Sequence, residues 1–263
     1  MPFSIYNLRY IYYQSFKGEV AGIIIQLIIS WMLLKWLQKK NLTVLGFLPT
    51  RERLKFIVIG FLLPVAFFSF LFITLSYFVS NPFVVNPGYT LDAFFSATWY
   101  QFKSVAFETL IFHGALLFIL MERIGWKKAA IISAITFGIY HWFSWNLFGQ
   151  VMPMITVFIT TGIYGFLWAL AFVRSKTIYL PFTMHLGLNF VNSIMFSKDK
   201  NMGEQLMIPA NPVDPVSPGN ALSLFLILLY FAGLPSLTLL YLSSVRESEL
   251  NIHFPDRDNI KGT

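Results

Sequence analysis

Seven apolar stretches dominate the chain, each about as long as a helix must be to cross a lipid bilayer. The hydrocarbon core of a bilayer requires ~20 helical residues. The stretches occupy residues 20–37, 56–79, 91–121, 128–148, 151–173, 178–196 and 221–245. We therefore predict an all-α fold, a polytopic transmembrane helical bundle of about seven spans. An eighth segment, interfacial or re-entrant, near residues 7–16 is the alternative count.

Composition agrees with a membrane protein and excludes several other classes. Only 12% of the residues are charged, about half of what a soluble domain carries. The formal net charge of +7 is compatible with nucleic acid, but the basic residues separate apolar stretches instead of lining one face. We therefore expect membrane lipid and no nucleic acid as partner. The absence of cysteine rules out disulfides, a thiolate nucleophile and a Cys-ligated metal.

The distribution of basic residues predicts an orientation. With seven spans, most of the 19 lysines and arginines fall in loops on one side, around residues 39–55, 123–128, 174–176 and 246–261. Only Arg9, Lys17, Lys198 and Lys200 fall on the other side. The positive-inside rule then places the C-terminus in the cytoplasm. The Pro-rich connection 197–220 is typical of an extended loop, so we treat residues 1–263 as a single transmembrane domain.

Four polar side chains within these spans fall at similar depths, on three different stretches. Glu108 lies ~21 Å from the cytoplasmic boundary, and His141 lies ~20 Å from it. His185 and Asn189 lie ~14 and ~20 Å deep. A titratable side chain at such depth is costly unless it faces a polar interior, which makes it a candidate functional residue. Lys103 is expected to reach the outer interface or to pair with a carboxylate.

Spacing along each helix divides these residues into two groups. His185 and Asn189 are four residues apart, so they share a helix face and can act on one ligand. Thr109 and His113 are also four apart, about 100° around the helix from Glu108. We therefore assign Glu108 to the bundle interior and treat Thr109 and His113 as a supporting pair.

A glutamate, two histidines and an asparagine can hydrolyse an amide in two ways. In the first, Glu108 and a nearby imidazole hold and deprotonate a water, while the other histidine and the amide stabilise the oxyanion. In the second, Glu108, His141 and His185 bind a divalent metal such as zinc, with one position open for water. The residues leave open whether a metal is required.

Three short motifs in this order resemble the CPBP family of intramembrane endopeptidases, which includes CAAX-prenyl proteases and bacteriocin-processing and self-immunity relatives. The family's motifs are Glu-Glu-x-x-x-Arg, Phe-x-x-x-His and His-x-x-x-Asn. The chain has Glu108-Thr109-Leu110-Ile111-Phe112-His113, Phe137-Gly138-Ile139-Tyr140-His141 and His185-Leu186-Gly187-Leu188-Asn189, within a core at about residues 96–196.

The resemblance implies roles for the matching residues. Glu108 and His141 correspond to the pair that activates water, and His185 and Asn189 to the residues that stabilise the oxyanion. Thr109 and His113 depart from the first motif, where the family has Glu and Arg. We interpret this as an ion pair that has become a Thr–His hydrogen bond.

The leading hypothesis is an endopeptidase of the bacterial plasma membrane that cleaves a membrane-associated, prenylated or leader-bearing protein. The altered first motif favours an alternative, a catalytically inactive membrane scaffold or immunity factor. A proton-coupled transporter is a further alternative. It would be expected to show helices broken at Gly or Pro, and repeat symmetry, and neither is evident in the sequence.

Overall fold

The computed structural model of the protein describes residues 5–197, 205–211 and 219–245, with side chains from Val20 onward. The described chain is almost entirely helical, which confirms the predicted all-α bundle. Its helices are α1 (Ile5–Gln38), α2 (Arg51–Phe78), α3 (Leu91–Phe112), α4 (Ala115–Ile124), α5 (Trp126–Ser144), α6 (Val151–Ser175), α7 (Tyr179–Phe190) and α8 (Asn220–Ser244). A 3-10 turn (Leu42–Leu45) follows α1, and a π-helical turn (Val191–Met195) extends α7.

Threonine caps define where two of the long helices begin. The Thr50 hydroxyl accepts a hydrogen bond from the Arg53 amide at the start of α2. Thr90 does the same for the Ala93 amide at the start of α3. Each cap satisfies an amide that has no partner within its helix.

Within the described residues, five helical segments have the length and hydropathy of a membrane span: 20–38 of α1, α2, α3 with α4, α6, and α8. The expected fourth and sixth spans are not among them. α5 ends at Ser144, four residues earlier than predicted, and its 19 residues are long enough for a span but not apolar enough. α7 has only 12 residues, a rise of ~18 Å. These two shorter helices carry His141, His185 and Asn189.

The alternative count of eight segments, with an extra one near residues 7–16, does not match the first helix. Residues 7–16 form no separate segment, because α1 is one continuous helix from Ile5 to Gln38.

The predicted third span is two helices, because the chain breaks at His113 and Gly114. A Cβ atom on Gly114 would collide with the carbonyl oxygen of Leu110, so this close turn requires glycine. The break frees backbone carbonyls, and the Ser133 hydroxyl of α5 donates to one of them, Phe112 O, at 2.7 Å. A side chain thus replaces a lost helical hydrogen bond.

Three loops rich in basic residues lie together at one end of the bundle. Lys40 Nζ is 3.1 Å from Glu122 Oε2, which joins the loop after α1 to the end of α4. The Ile178 amide donates to Leu45 O at 2.9 Å, and Thr177 Oγ1 donates to Gly46 O at 3.0 Å, which joins the α6–α7 loop to the same region. This agrees with the loop alternation expected from charge. The orientation itself stays a prediction, since residues 198, 200 and 246–263 and the side chains of Arg9 and Lys17 lie outside the described part.

At the other end, a small antiparallel sheet closes the bundle. β1 (Phe83–Val85) pairs with β2 (Met207–Pro209), with Val84 opposite Ile208. The Asn81 side chain exchanges hydrogen bonds with the backbone of Asn211. The described part of the connection 197–220 is therefore anchored to the α2–α3 loop; residues 198–204 and 212–218 lie outside the description.

Within the bundle, α7 is a core helix. It packs along α2 and against α3 and α6, while α5 packs along α6. Close approach of α2 and α7 depends on Gly187, where a Cβ would collide with the Phe61 carbonyl oxygen. This packing places the polar face of α7 against α3.

The break between α3 and α4 gives a testable prediction. Gly114→Ala adds a methyl group that collides with Leu110 O, and we expect it to lower the free energy of unfolding by about 1–3 kcal/mol. Thermal unfolding of the purified protein in detergent measures the change. Gly162→Ala is the control, since its Cβ would be 3.6 Å from the nearest atom, Ala134 O. Equal melting temperatures for the two variants would contradict the account of the break.

Candidate active site

Glu108 of α3 and His185 of α7 meet in the interior of the bundle. Glu108 Oε2 is 3.8 Å from His185 Nε2, and their side chains are 13% and 5% exposed. The Ser104 hydroxyl, one turn earlier on α3, donates to Glu108 Oε1 at 3.4 Å. A buried carboxylate is thus matched by an imidazole and a hydroxyl, which the cost of burial requires.

His141 of α5 lies beside this pair and has a fixed ring orientation. Its Nδ1 donates to the carbonyl oxygen of Phe137, one turn earlier, at 2.8 Å. In a neutral imidazole this leaves Nε2 as an acceptor. The rings of His141 and His185 both contact the Phe137 ring. Among the described residues, no ion pair within 4.0 Å or hydrogen bond joins His141 to Glu108, so the imidazole that touches the carboxylate is His185.

Asn189 is held against α3 by a residue that the sequence analysis missed. Its Nδ2 donates to Gln101 Oε1 at 3.1 Å. Gln101, Ser104 and Glu108 are spaced i, i+3 and i+7, so they form one polar stripe on α3. That spacing is visible in the sequence and would have identified Gln101 and Ser104.

Aromatic rings hold the three imidazoles in place. Phe137 is the common neighbour, with ring centroids 4.5 Å from His141, 5.7 Å from His113 and 6.0 Å from His185. Trp168 stacks on His185 with centroids 3.9 Å apart and an interplanar angle of 17°. Trp168 therefore packs directly on a candidate site residue and fixes the plane of its ring.

The expected hydrogen bond between Thr109 and His113 is wrong. His113 Nε2 donates to the carbonyl oxygen of Gly165 on α6, at 3.0 Å. Thr109 Oγ1 is buried and has no hydrogen-bond partner among the described residues. The reason is the helix break: His113 is the last residue before Gly114, and its side chain extends to α6 instead of back along α3. His113 still braces the bundle, but it does so across helices.

For Lys103, the structure disagrees with one of the two expectations, that its side chain reaches the outer interface. It is only 4% exposed, so its side chain does not extend to the outer interface.

The side chains as placed do not form a metal-binding set. Within the described residues, no three His, Cys, Asp or Glu side chains are grouped as a metal ion requires. Glu108 and His185 are in contact, which gives two donors where a catalytic zinc site uses three. We therefore derive the chemistry below from the protein's own groups.

The unpartnered hydroxyl of Thr109 gives a second prediction. Thr109→Val removes a buried polar group that makes no hydrogen bond, so we expect the melting temperature to stay unchanged or to rise. His113→Ala should lower stability by about 2–4 kcal/mol, because it leaves the Gly165 carbonyl without its partner and opens a cavity. Thermal unfolding compares the two variants. Comparable destabilisation by both variants would contradict this account and support a Thr109–His113 hydrogen bond.

Comparison with known proteins supports the resemblance seen in the motifs. Residues 90–191, which include Glu108, His141, His185 and Asn189, match the family model described as type II CAAX prenyl endopeptidase Rce1-like. No curated protein matches the chain significantly. No solved structure matches it significantly. Over residues 90–191, which are less than half of its length, this integral membrane protein is therefore similar to the type II CAAX prenyl endopeptidase Rce1-like family.

Proposed function

We propose that the protein is an intramembrane endopeptidase in which Glu108 activates the attacking water. The observation that carries the proposal is the buried contact of Glu108 with His185, at 3.8 Å between helices of the family-matched segment. A carboxylate buried beside an imidazole is placed to accept and return a proton. The family match supports the reaction class, hydrolysis of a peptide bond.

The reaction needs one proton acceptor and one oxyanion site. Glu108 takes a proton from the water while the oxygen of that water attacks the carbonyl carbon of the peptide bond. The C–N bond of the tetrahedral intermediate then breaks, and Glu108 returns the proton to the leaving nitrogen. His141, whose Nδ1 is held by the Phe137 carbonyl, presents Nε2 to orient the water.

Asn189 stabilises the oxyanion in this proposal, and His185 does so in its protonated form, in which one N–H faces Glu108 and the other is free for the oxyanion. The two residues lie one turn apart on α7, and Asn189 Nδ2 has a second N–H beyond the one it gives to Gln101. Stacking on Trp168 holds the His185 ring in a single plane, so no reorganisation is needed as charge develops. The low exposure of the site excludes bulk water and strengthens each interaction.

The substrate of this proposal is a protein held at the membrane. Glu108 lies near the middle of the combined span Leu91–Ile124, so a scissile bond must enter the bundle from a membrane-associated chain. A prenylated or leader-bearing protein fits that requirement. The family description names prenyl endopeptidases and agrees with this substrate class.

The inactive scaffold or immunity factor is the second candidate, because Thr109 and His113 depart from the family's first motif. The structure lessens the weight of that departure. His113 has a hydrogen-bond partner on α6, and Glu108 keeps its contacts with Ser104 and His185 without Thr109. The polar contacts of Glu108 therefore involve neither Thr109 nor His113.

The transporter alternative gains one feature from the structure. α3 and α4 form a span broken at Gly114, which the sequence had not suggested. The break lies six residues after Glu108. Proton-coupled uptake by the protein in proteoliposomes, lost in Glu108→Gln, would favour the transporter over the endopeptidase.

The third prediction concerns Glu108 and His141. Glu108→Gln and His141→Ala should each lower the rate of peptide cleavage by about 10²–10⁴-fold, because each removes a group that handles the water or its proton. The measurement is cleavage of a prenylated or leader-bearing peptide library by the purified protein, read by mass spectrometry.

Glu52→Gln is the matched control, since Glu52 is exposed at the start of α2 and should leave cleavage unchanged. All variants are to show the wild-type melting transition. Full cleavage by Glu108→Gln would refute the assignment. Loss of wild-type cleavage with a chelator would show that a metal is needed and would replace the water-activation scheme.

A further inference from the structure

We propose that the protein binds an anionic phospholipid at a site separate from the active site. One acyl chain would lie in an apolar cavity between α1, α2, α3 and α7, with the phosphate at the first turn of α2.

The cavity has the size and lining of a site for a hydrocarbon chain. Its volume is about 540 Å³, within the ~300–1,000 Å³ usual for small-ligand sites. Its walls are almost wholly apolar, with Ile23 and Leu27 from α1, Phe61 from α2, Ala106 and Leu110 from α3, and Phe182 from α7. Another wall residue, Phe102, is 41% exposed, so the cavity can be reached from the lipid. Of the polar residues that line it, Tyr179 and Thr183 already donate to backbone carbonyl oxygens, and Thr109 Oγ1 is buried from the cavity surface.

The cavity faces away from Glu108. Ala106 and Leu110 are each two residues from Glu108, which is about 160° around the helix, and Phe102 is about 120° away. The backbone of α3 therefore lies between a chain in this cavity and the carboxylate. An occupant held there is not the segment being cleaved.

A buried arginine lies on α2 one turn before the cavity lining begins. Arg53, Ile57 and Phe61 are spaced i, i+4 and i+8 along α2, so they share one stripe, and the latter two line the cavity. Arg53 Nη1 donates to Leu48 O at 2.7 Å, directly after the lining residue Phe47. Arg53 is 6% exposed, and its Nε has no hydrogen-bond partner among the described residues. A phosphate oxygen is the acceptor that a guanidinium prefers.

The surroundings of Arg53 favour an anion. Arg51 and Lys55 are exposed on either side of it, against one carboxylate, Glu52. The first turn of α2 also carries the positive end of a 28-residue helix. Ile57 and Phe61 lie ~6 and ~12 Å along the helix from Arg53, so one lipid molecule can reach both the charge and the cavity. Basic pockets between transmembrane helices are a known mode of anionic lipid binding.

Native mass spectrometry of the purified full-length protein tests this fourth prediction. The probes are phosphatidylglycerol and phosphatidylcholine with identical acyl chains. We expect one phosphatidylglycerol to bind, about fivefold more tightly than phosphatidylcholine, for a single charge contact. The protein with Glu108→Ala should bind it equally, so a failure of the proteolytic proposal would not affect this result.

Two variants separate the acyl chain from the phosphate. Ala106→Phe fills the cavity and should weaken phosphatidylglycerol binding by about tenfold or more. Its matched control is Ala134→Phe, an alanine that lines a different apolar cavity between α5, α6 and α8, which should bind as wild type. Arg53→Gln should remove the preference for phosphatidylglycerol, whereas Arg53→Lys should keep most of it.

Three results would overturn the proposal. They are equal binding of the two lipids by the wild-type protein, wild-type binding by Ala106→Phe, and equal losses for Ala106→Phe and Ala134→Phe. If Arg53→Gln does not fold, the comparison of headgroups and the Ala106 variant still decide the question.

Discussion

The buried contact between Glu108 and His185 is the interaction on which the rest of the site depends. A carboxylate at the centre of a membrane helix costs about 3 kcal/mol or more when it has no polar surroundings. Here an imidazole from α7 and a hydroxyl from α3 surround it. Both helices are constrained as a result, because α3 must present its polar stripe to α7, and α7 must bring His185 to that depth.

The unusual features of the bundle all serve this arrangement. α5 and α7 lie against the longer helices α6 and α2, so their polar faces are shielded from lipid. The break at Gly114 ends α3 one turn after Glu108 and turns His113 toward Gly165. Phe137 and Trp168 then fill the space among the three imidazoles. The polar groups are thereby confined to one small, largely dry region.

Depth along the helices predicted a shared layer, but not which residues in it make contact. Counting residues from the basic loops placed Glu108, His141, His185 and Asn189 in one layer, whereas the structure brings Glu108 against His185 and Asn189 against Gln101. Counting could not show that His185 contacts the carboxylate while His141 turns Nδ1 to its own helix. That choice depends on side-chain rotamers and on the rotation of α5, which apolar periodicity does not encode.

The helix break was missed for a related reason. Residues 91–121 form one predominantly apolar stretch, and hydropathy does not distinguish one long helix from two short ones. The Thr109–His113 pair was inferred from spacing on an unbroken helix, and it is wrong because the helix ends at Phe112. Gly114 was the one local sequence indication of a helix break. The structure shows why glycine is needed there, since a Cβ atom would collide with Leu110 O.

The chain has no cysteine, so engineered cysteine pairs can test the central contact directly. Glu108→Cys combined with His185→Cys should be bridged in native membranes by a short bis-methanethiosulfonate reagent, with the bridge detected by intact-protein mass spectrometry. Thr109→Cys combined with His185→Cys should not be bridged, because Thr109 lies about 100° around α3. Bridging of the Thr109 pair and not of the Glu108 pair would contradict the arrangement of α3 against α7.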